Sequence, residues 1–382
     1  MERQTMRTES RWKLKKEDTL LLSRRKDGLY AEECRILKEE GEGGSTVCYS
    51  AVFNGKKGRL KEFYPTEASY GKVCWLVYLT RGENHQLVVK KEEQSEQYRA
   101  LCEDFLTAYK MLDERKLADE EHEIINNYLP VYELLYGVEE EGKKPAGVYV
   151  WTPDDTSGQS FENYLGEVYQ NPEGQAIENL YNIISTVVTL TDCIRTLHAA
   201  GLLHLDIKPS NFLVSHTSSY EMNAAQISLF DIDSISPVDS EFPRVSGTVG
   251  YRAPEVDRGH AENRSDIYSI GAMLFYATIY AEGKRGIYCP EYYKQLEELV
   301  EKSSLIHAVK EQDTQVFKKM LLRILRKCLA PRPEQRYACC EELAEDLQAA
   351  RMMLLPGMML HHLSEYEGDS EEVELFRKSL MK

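Results

Sequence analysis

Within His204-Leu205-Asp206-Ile207-Lys208-Pro209-Ser210-Asn211-Phe212-Leu213-Val214, an aspartate is followed by a lysine two positions on and an asparagine three further. A carboxylate can accept or orient the proton of an acceptor hydroxyl, a lysine can steady a phosphoryl group in transfer, and an amide oxygen can hold a metal ion. Phosphoryl transfer requires these three groups close together. Apolar residues flank the stretch and Pro209 interrupts it, as in a loop pinned between packed segments. Twenty positions past Asn211, Leu229-Phe230-Asp231-Ile232-Asp233 places a second carboxylate, Asp231, at the end of an apolar run. Such a group suits a metal bridging a triphosphate. The plainer reading is a strand-end turn with two solvated aspartates.

A glycine-rich turn, Gly41-Glu42-Gly43-Gly44-Ser45-Thr46-Val47-Cys48-Tyr49, lies far upstream. Glycines between two strands let backbone N–H groups approach phosphates, although a simple hairpin turn has the same composition. It is no Walker loop, because no Gly-Lys-Ser/Thr follows. Twenty residues after Gly41, Arg59-Leu60-Lys61-Glu62-Phe63 sets Lys61 among apolar neighbours. Lys56, Lys57 and Lys72 are nearby alternatives that read as surface charges.

The elements that must carry these groups follow from periodicity. Strand patterns cover 35–38, 46–53, 58–63, 75–78 and 86–89, with 19–22 as a short candidate and 132–135 and 146–151 further on. Asn54-Gly55 marks a hairpin turn. Helical spacing covers 95–123, 176–200, 265–281, 291–300, 315–328 and 341–355. The first 150 residues are thus strand-rich and the remainder helix-rich.

The chain has 382 residues, 42% hydrophobic and 29% charged, ordinary values for a globular protein. Its net charge of −16 argues against nucleic acid as a partner. No run is long and apolar enough for a membrane span, and residues 1–4 begin no signal core, which points to the cytoplasm. Nine cysteines without a Cys-x-x-Cys pair read as reduced thiols. The basic first 26 residues read as a solvated or frayed end.

Further segments extend the pattern: Gly247-Thr248-Val249-Gly250-Tyr251-Arg252-Ala253-Pro254-Glu255, then Arg264–Gly271, then Pro333-Glu334-Gln335-Arg336-Tyr337. In this order, with Lys61, Asp206, Asn211 and Asp231 before them, they resemble the protein kinase domain. It is of the serine/threonine type because a lysine follows the aspartate by two, and bacterial-like around Lys61-Glu62-Phe63-Tyr64-Pro65. The resemblance implies an α+β, two-lobed fold: a small antiparallel β-sheet N-lobe with a helix, and a larger, mainly α-helical C-lobe. The corresponding division is an extension over 1–30, an N-lobe over 31–152, a C-lobe over 153–355 and an acidic tail over 356–382.

The resemblance also implies roles. Gly41, Gly43 and Gly44 would cradle ATP, and Lys61 would pair with its α- and β-phosphates. Asp206 would take or orient the substrate proton and Lys208 would steady the γ-phosphoryl. Asn211 and Asp231 would hold Mg, with Mn possible. Thr248 would bond near Asp206 and Lys208, Glu255 would pair with Arg336, and Asp266 would anchor the catalytic loop. The expected partner is a Ser/Thr-bearing protein substrate, and autophosphorylation could fall on Ser234, Ser236, Ser246 or Thr248. Four departures stand out: Thr46 for the third glycine, Leu205 for an arginine that commonly reads a phosphorylated activation segment, Asp233 for a glycine, and Ala108 where a helix glutamate belongs. Glu103 and Glu114 are candidates to replace that glutamate, and neither is assigned. The departures support an alternative, a pseudokinase that binds nucleotide as a scaffold.

Overall fold

Burial alternates residue by residue along Thr46–Phe53 and Lys56–Phe63, the signature of strands with one face inside. These strands belong to the first of two units into which the chain divides, Met1–Asp113 with Pro130–Thr156; the second is Glu114–Leu129 with Ser157–Lys382. A computed structural model describes residues 11–43, 45–65, 79–82, 84–90, 92–118, 131–138, 147–154, 158–170, 176–215, 226–229, 231–238, 247–281, 284–285, 287–307, 309 and 311–365. Gly44, Phe230, Ser246, the strand expected over 75–78 and the tail beyond 365 lie outside the described residues.

In the first unit, β1 (Thr19–Ser23), β2 (Glu32–Glu42), β3 (Thr46–Phe53) and β4 (Lys56–Phe63) run as an antiparallel series. A two-stranded ladder of β5 (Leu79–Arg81) and β6 (Leu87–Val89) follows, then α1 (Ser95–Ala118), β7 (Glu133–Gly137) and β8 (Val148–Pro153). The order β1-β2-β3-β4-β8-β7 closes into a barrel because β7 pairs back onto β1. Closure removes the two unpaired edges that an open sheet would expose. It also revises the extension expected over 1–30. Leu20 and Leu22 point inward and are buried while Leu21 is exposed, so residues 19–23 are a structural strand of the barrel. The α1 helix docks through Phe105, whose ring stacks on Phe63 at 4.7 Å.

A carboxylate lies buried in the first unit. Glu62 is fully buried and receives both terminal nitrogens of the Arg81 guanidinium at 2.6 Å. The Tyr49 hydroxyl donates to it at 3.3 Å, and the Tyr149 hydroxyl lies 3.2 Å away. A buried charge is tolerable only with such pairing.

The second unit is mainly helical. Its helices are α2 (Phe161–Val168), α3 (Ala176–Ala199), α4 (Asn263–Thr278), α5 (Leu296–Lys302), α6 (Ser304–His307), α7 (Glu311–Cys328) and α8 (Cys340–Glu365). Every residue of α4 from Ser265 to Thr278 is buried, which makes it the central core helix. Gly271 permits the close approach of α4 to α7, since a Cβ there would stand 2.3 Å from that of Cys328. The helix expected to end at 355 instead runs through Pro356 to Glu365, so the boundary placed at 356 falls inside α8. Proline removes one backbone donor but keeps a helical φ, and the buried Leu354 and Ala350 hold the preceding turns.

Short strands fix the loops of this unit. β9 (Gln159–Ser160) pairs with β11 (Phe212–Ser215), which pairs on its other side with β12 (Gln226–Leu229). β10 (Leu202–Leu203) pairs with β13 (Ser236–Pro237). Residues 204–211 are therefore strung between β10 and β11. Because Phe212 faces Leu229 in the hairpin register, Asn211 and Asp231 leave the same end of the β11–β12 ladder.

Candidate active site

Backbone anchoring comes first. The Asp266 carboxylate, on α4 and fully buried, accepts the N–H of His204 at Oδ2 and of Leu205 at Oδ1, both at 2.8 Å. His198 on α3 adds its Nε2 at 2.9 Å. Burial alone would raise the Asp266 pKa, but the hydrogen bond and charge of His198 lead a set of interactions that bring it below its ordinary value. The anchor is therefore ionised. It fixes Leu205 at φ +63°, a left-handed conformation that a leucine does not adopt freely. His204 itself is buried. Desolvation pushes its pKa down, against the opposing pull of the Asp266, Asp206 and Asp231 carboxylates, so the ring is neutral and packed.

The loop then presents its chemistry. Thr248 Oγ1 donates to Asp206 Oδ1 at 2.8 Å and accepts from Lys208 Nζ at 2.8 Å. Lys208 Nζ also lies 3.0 Å from Asp206 Oδ2. Asn211 Nδ2 donates to the backbone oxygen of Asp206 at 2.8 Å and to its Oδ2 at 2.9 Å. Three side chains thus lock one carboxylate in orientation while Asp206 and Lys208 stay partly exposed. With its nitrogen committed to Asp206, Asn211 has its oxygen as the atom that can hold a cation. Together with the Asp231 carboxylate this gives hard oxygen donors, the set that Mg or Mn prefers.

Thr248 is delivered by a tight approach. Gly247 has φ +106°, and a Cβ there would stand 2.7 Å from the Leu205 carbonyl oxygen. Only glycine fits, so the segment lies directly on the catalytic loop. At the segment's far end the Glu255 carboxylate receives Arg336 through Nη1 at 2.6 Å and Nη2 at 2.9 Å, with Ser265 Oγ at 2.8 Å. Arg336 also donates to the carbonyls of Ala330 and Arg264. Ser234 and Ser236 are buried, so neither hydroxyl is presented for modification.

In the first unit, Lys61 pairs across the ladders with Cys48 on β3 and Val150 on β8. Residues in such a row share a face, so the three side chains stand on the face opposite to Glu62, where Val150 is buried and Cys48 and Lys61 are half-buried. The glycine turn joins β2 and β3, with the Gly43 N–H bonded to the Thr46 carbonyl at 2.9 Å. Ala108 is buried, 1% exposed, and Glu103 turns to Lys26 and Lys110 at the surface.

A sequence model of the protein kinase domain family matches residues 148–347, more than half of the chain. The chain belongs to the protein kinase domain family. The chain is 26% identical over 182 residues to serine/threonine-protein kinase PknG of Mycobacterium leprae, covering 48% of this chain and 20% of that protein. It is 27% identical over 177 residues to serine/threonine-protein kinase Pkn1 of Myxococcus xanthus, covering 44% and 24%. The chain therefore spans about a fifth to a quarter of the length of these curated relatives. Among solved structures, a double mutant of the PknI kinase domain of Mycobacterium tuberculosis superposes with a TM-score of 0.45 at 16% identity, covering 83% of this chain and 95% of that one.

The family match contains Asp206, Lys208, Asn211, Asp231, Thr248, Glu255, Asp266 and Arg336 and begins after Gly41, Gly43, Gly44 and Lys61. Two contributors were missed in sequence. His198 supports Asp266 from a helix position that looked like any other, and its pairing becomes visible only when α3 and α4 are packed. Gly247 stands in the sequence reading only as the start of the Gly247–Glu255 segment, with no role of its own, although its place directly before Thr248 was the available signal.

Proposed function

We propose that the chain is an ATP-dependent protein serine/threonine kinase that transfers the γ-phosphoryl group of Mg-ATP to a Ser or Thr hydroxyl. The observation that carries this reading is the bonded set Asp206–Thr248–Lys208, with Thr248 Oγ1 at 2.8 Å from both partners. ATP would supply the phosphoryl group, and Asn211 and Asp231 would hold a Mg ion that offsets the phosphate charge. Asp206 accepts the proton of the incoming hydroxyl as the new O–P bond forms and the bond to the β-phosphate oxygen breaks. Lys208 donates to the phosphoryl oxygens in transfer, and Lys61 pairs with the α- and β-phosphates. Asp206 must share its Oδ1 with Thr248, which aims the carboxylate and keeps it from collapsing fully onto Lys208.

Loss of the Thr248 hydroxyl should therefore misplace both catalytic groups. Thr248→Ala is expected to lower kcat by about tenfold or more, whereas Thr248→Ser stays within about threefold, read from initial rates at saturating ATP. The class of reaction is tested by incubating the protein with radiolabelled Mg-ATP and a generic basic protein. Label on Ser or Thr that disappears in Asp231→Ala supports the proposal, and nucleotide binding with no transfer under Mg or Mn rejects it. In that case the scaffold reading stands, and the buried Ala108 at the helix position expected to hold glutamate is the observation in its favour.

A reducing, cytoplasmic setting is part of the proposal. All eight described cysteines are free thiols, and no described helix is long and apolar enough to cross a membrane.

A further inference from the structure

Residues 11–14, ahead of the first strand, lie against the glycine turn and against Tyr64, the residue after the strand that carries Lys61. Arg11, whose side chain is 7% exposed, donates through Nη1 to the carbonyl oxygens of Gly43 at 2.8 Å and Thr46 at 3.3 Å, and stands 3.5 Å from Glu42. Lys13 pairs with Glu39 at 2.5 Å and Glu42 at 3.2 Å on the strand entering the turn. The following backbone is tied down as well. The Trp12 N–H donates to the Tyr64 hydroxyl at 3.2 Å, and its carbonyl accepts from Arg81 Nε at 2.7 Å. The Leu14 N–H donates to the Tyr49 hydroxyl at 3.1 Å, which in turn donates to Glu62, next to Lys61.

We infer that residues 11–14 form a strap that holds the glycine turn in its phosphate-binding shape, with Arg11 as the positioning residue. A turn containing three glycines has a large conformational entropy to lose when it closes on a ligand. A guanidinium bridging two of its carbonyls restricts the turn before the ligand arrives. The Arg11 contacts use carbonyl oxygens and spend no N–H of the turn, and N–H groups are what a triphosphate requires. The guanidinium also adds positive charge beside the turn. Through the Trp12 carbonyl and the Tyr49 hydroxyl the strap also reaches the Glu62–Arg81 pair, so the turn and the Lys61 strand are tied to one piece of chain. Arg11 touches no reacting atom in this scheme and acts through the turn.

The inference rests on reading the turn as a nucleotide loop, and the test separates the two. Full-length wild type, Arg11→Ala and Arg11→Lys are compared by Mg-ATP titration, by hydrogen exchange over residues 39–50 and by kcat at saturating ATP. Arg11→Ala is expected to weaken Mg-ATP binding by about tenfold and to speed exchange in the turn, with kcat unchanged. Arg11→Lys, which keeps a donor and a charge, restores most of the affinity. Equal affinity and equal exchange in Arg11→Ala overturn the strap while leaving the nucleotide loop intact. A parallel fall in kcat and melting temperature overturns it too, because that marks general destabilisation. Wild type that binds no Mg-ATP overturns the nucleotide reading and the strap's role together.

Discussion

Asp206→Asn is expected to lower kcat for the proposed phosphoryl transfer by about 10³-fold, with the melting temperature within about two degrees of wild type. The substitution keeps the shape of the side chain and leaves acceptor and donor atoms for Thr248 and Asn211, whose bonds to Asp206 measure 2.8 and 2.9 Å. It removes the negative charge that takes the hydroxyl proton and pairs with Lys208 at 3.0 Å. Because Asp206 is partly exposed, folding does not depend on its charge. Binding of Mg-ATP is unaffected, since the nucleotide contacts lie on other residues. Initial rates, nucleotide titration and a thermal melt on the same preparation separate these effects. A variant that retains more than about a tenth of wild-type kcat would show that Asp206 is not the proton acceptor.

Glu255→Ala has the largest expected effect on stability. Arg336 is completely buried at its side chain and would keep its charge with no carboxylate to meet it. Removing one partner of such a pair costs about 3–5 kcal/mol, a fall of about ten degrees in the melting temperature of a domain of this size. Glu255→Gln should cost less, because an amide oxygen can still accept from the guanidinium. The pair also sets the acid limit. Burial raises the Glu255 pKa, but the Arg336 hydrogen bonds and charge outweigh it and the net value lies below the ordinary 4.5. A depressed carboxylate contributes stability that is complete above its unfolded pKa and is lost as pH falls through the folded one. Asp266 acts in the same direction below its ordinary 3.8. His204, held neutral against an ordinary 6.5, begins to subtract as soon as the unfolded ring protonates. Melting temperature should therefore hold near neutral pH, slip below about 6.5 and fall steeply below about 4.5. The steep limb should be shallower in Glu255→Ala.

The catalytic loop was legible in sequence because its chemistry is local: Asp206, Lys208 and Asn211 lie within six residues and their hydrogen bonds form within one loop. The strands and helices that frame it follow from periodicity, and the order of the later motifs supplied the roles of Thr248, Glu255, Asp266 and Arg336. Contacts between distant segments were not legible. Nothing in Thr19–Ser23 announces that Leu22 will face Gly137 and close a barrel. Nothing local marks Glu62 for burial, which depends on Arg81, nineteen residues away. Arg11 read as part of a frayed basic end for the same reason, since its partners are turn carbonyls that carry no side-chain signal. The acidic composition after Pro356 read as a tail, yet α8 runs on through Pro356 to Glu365. The helix glutamate was left open between Glu103 and Glu114, and Glu103 is engaged at the surface by Lys26 and Lys110.

The central claim is that the bonded set around Asp206, with metal oxygens from Asn211 and Asp231, performs transfer to a hydroxyl. Intact-mass and peptide mass spectrometry of wild type and Asp231→Ala, each incubated with Mg-ATP and a generic basic protein, tests it most directly. The account predicts additions of a single phosphate mass on Ser or Thr in the wild-type reaction and none in Asp231→Ala. Wild type that binds Mg-ATP yet leaves every Ser and Thr unmodified, on itself and on the added protein, would contradict it.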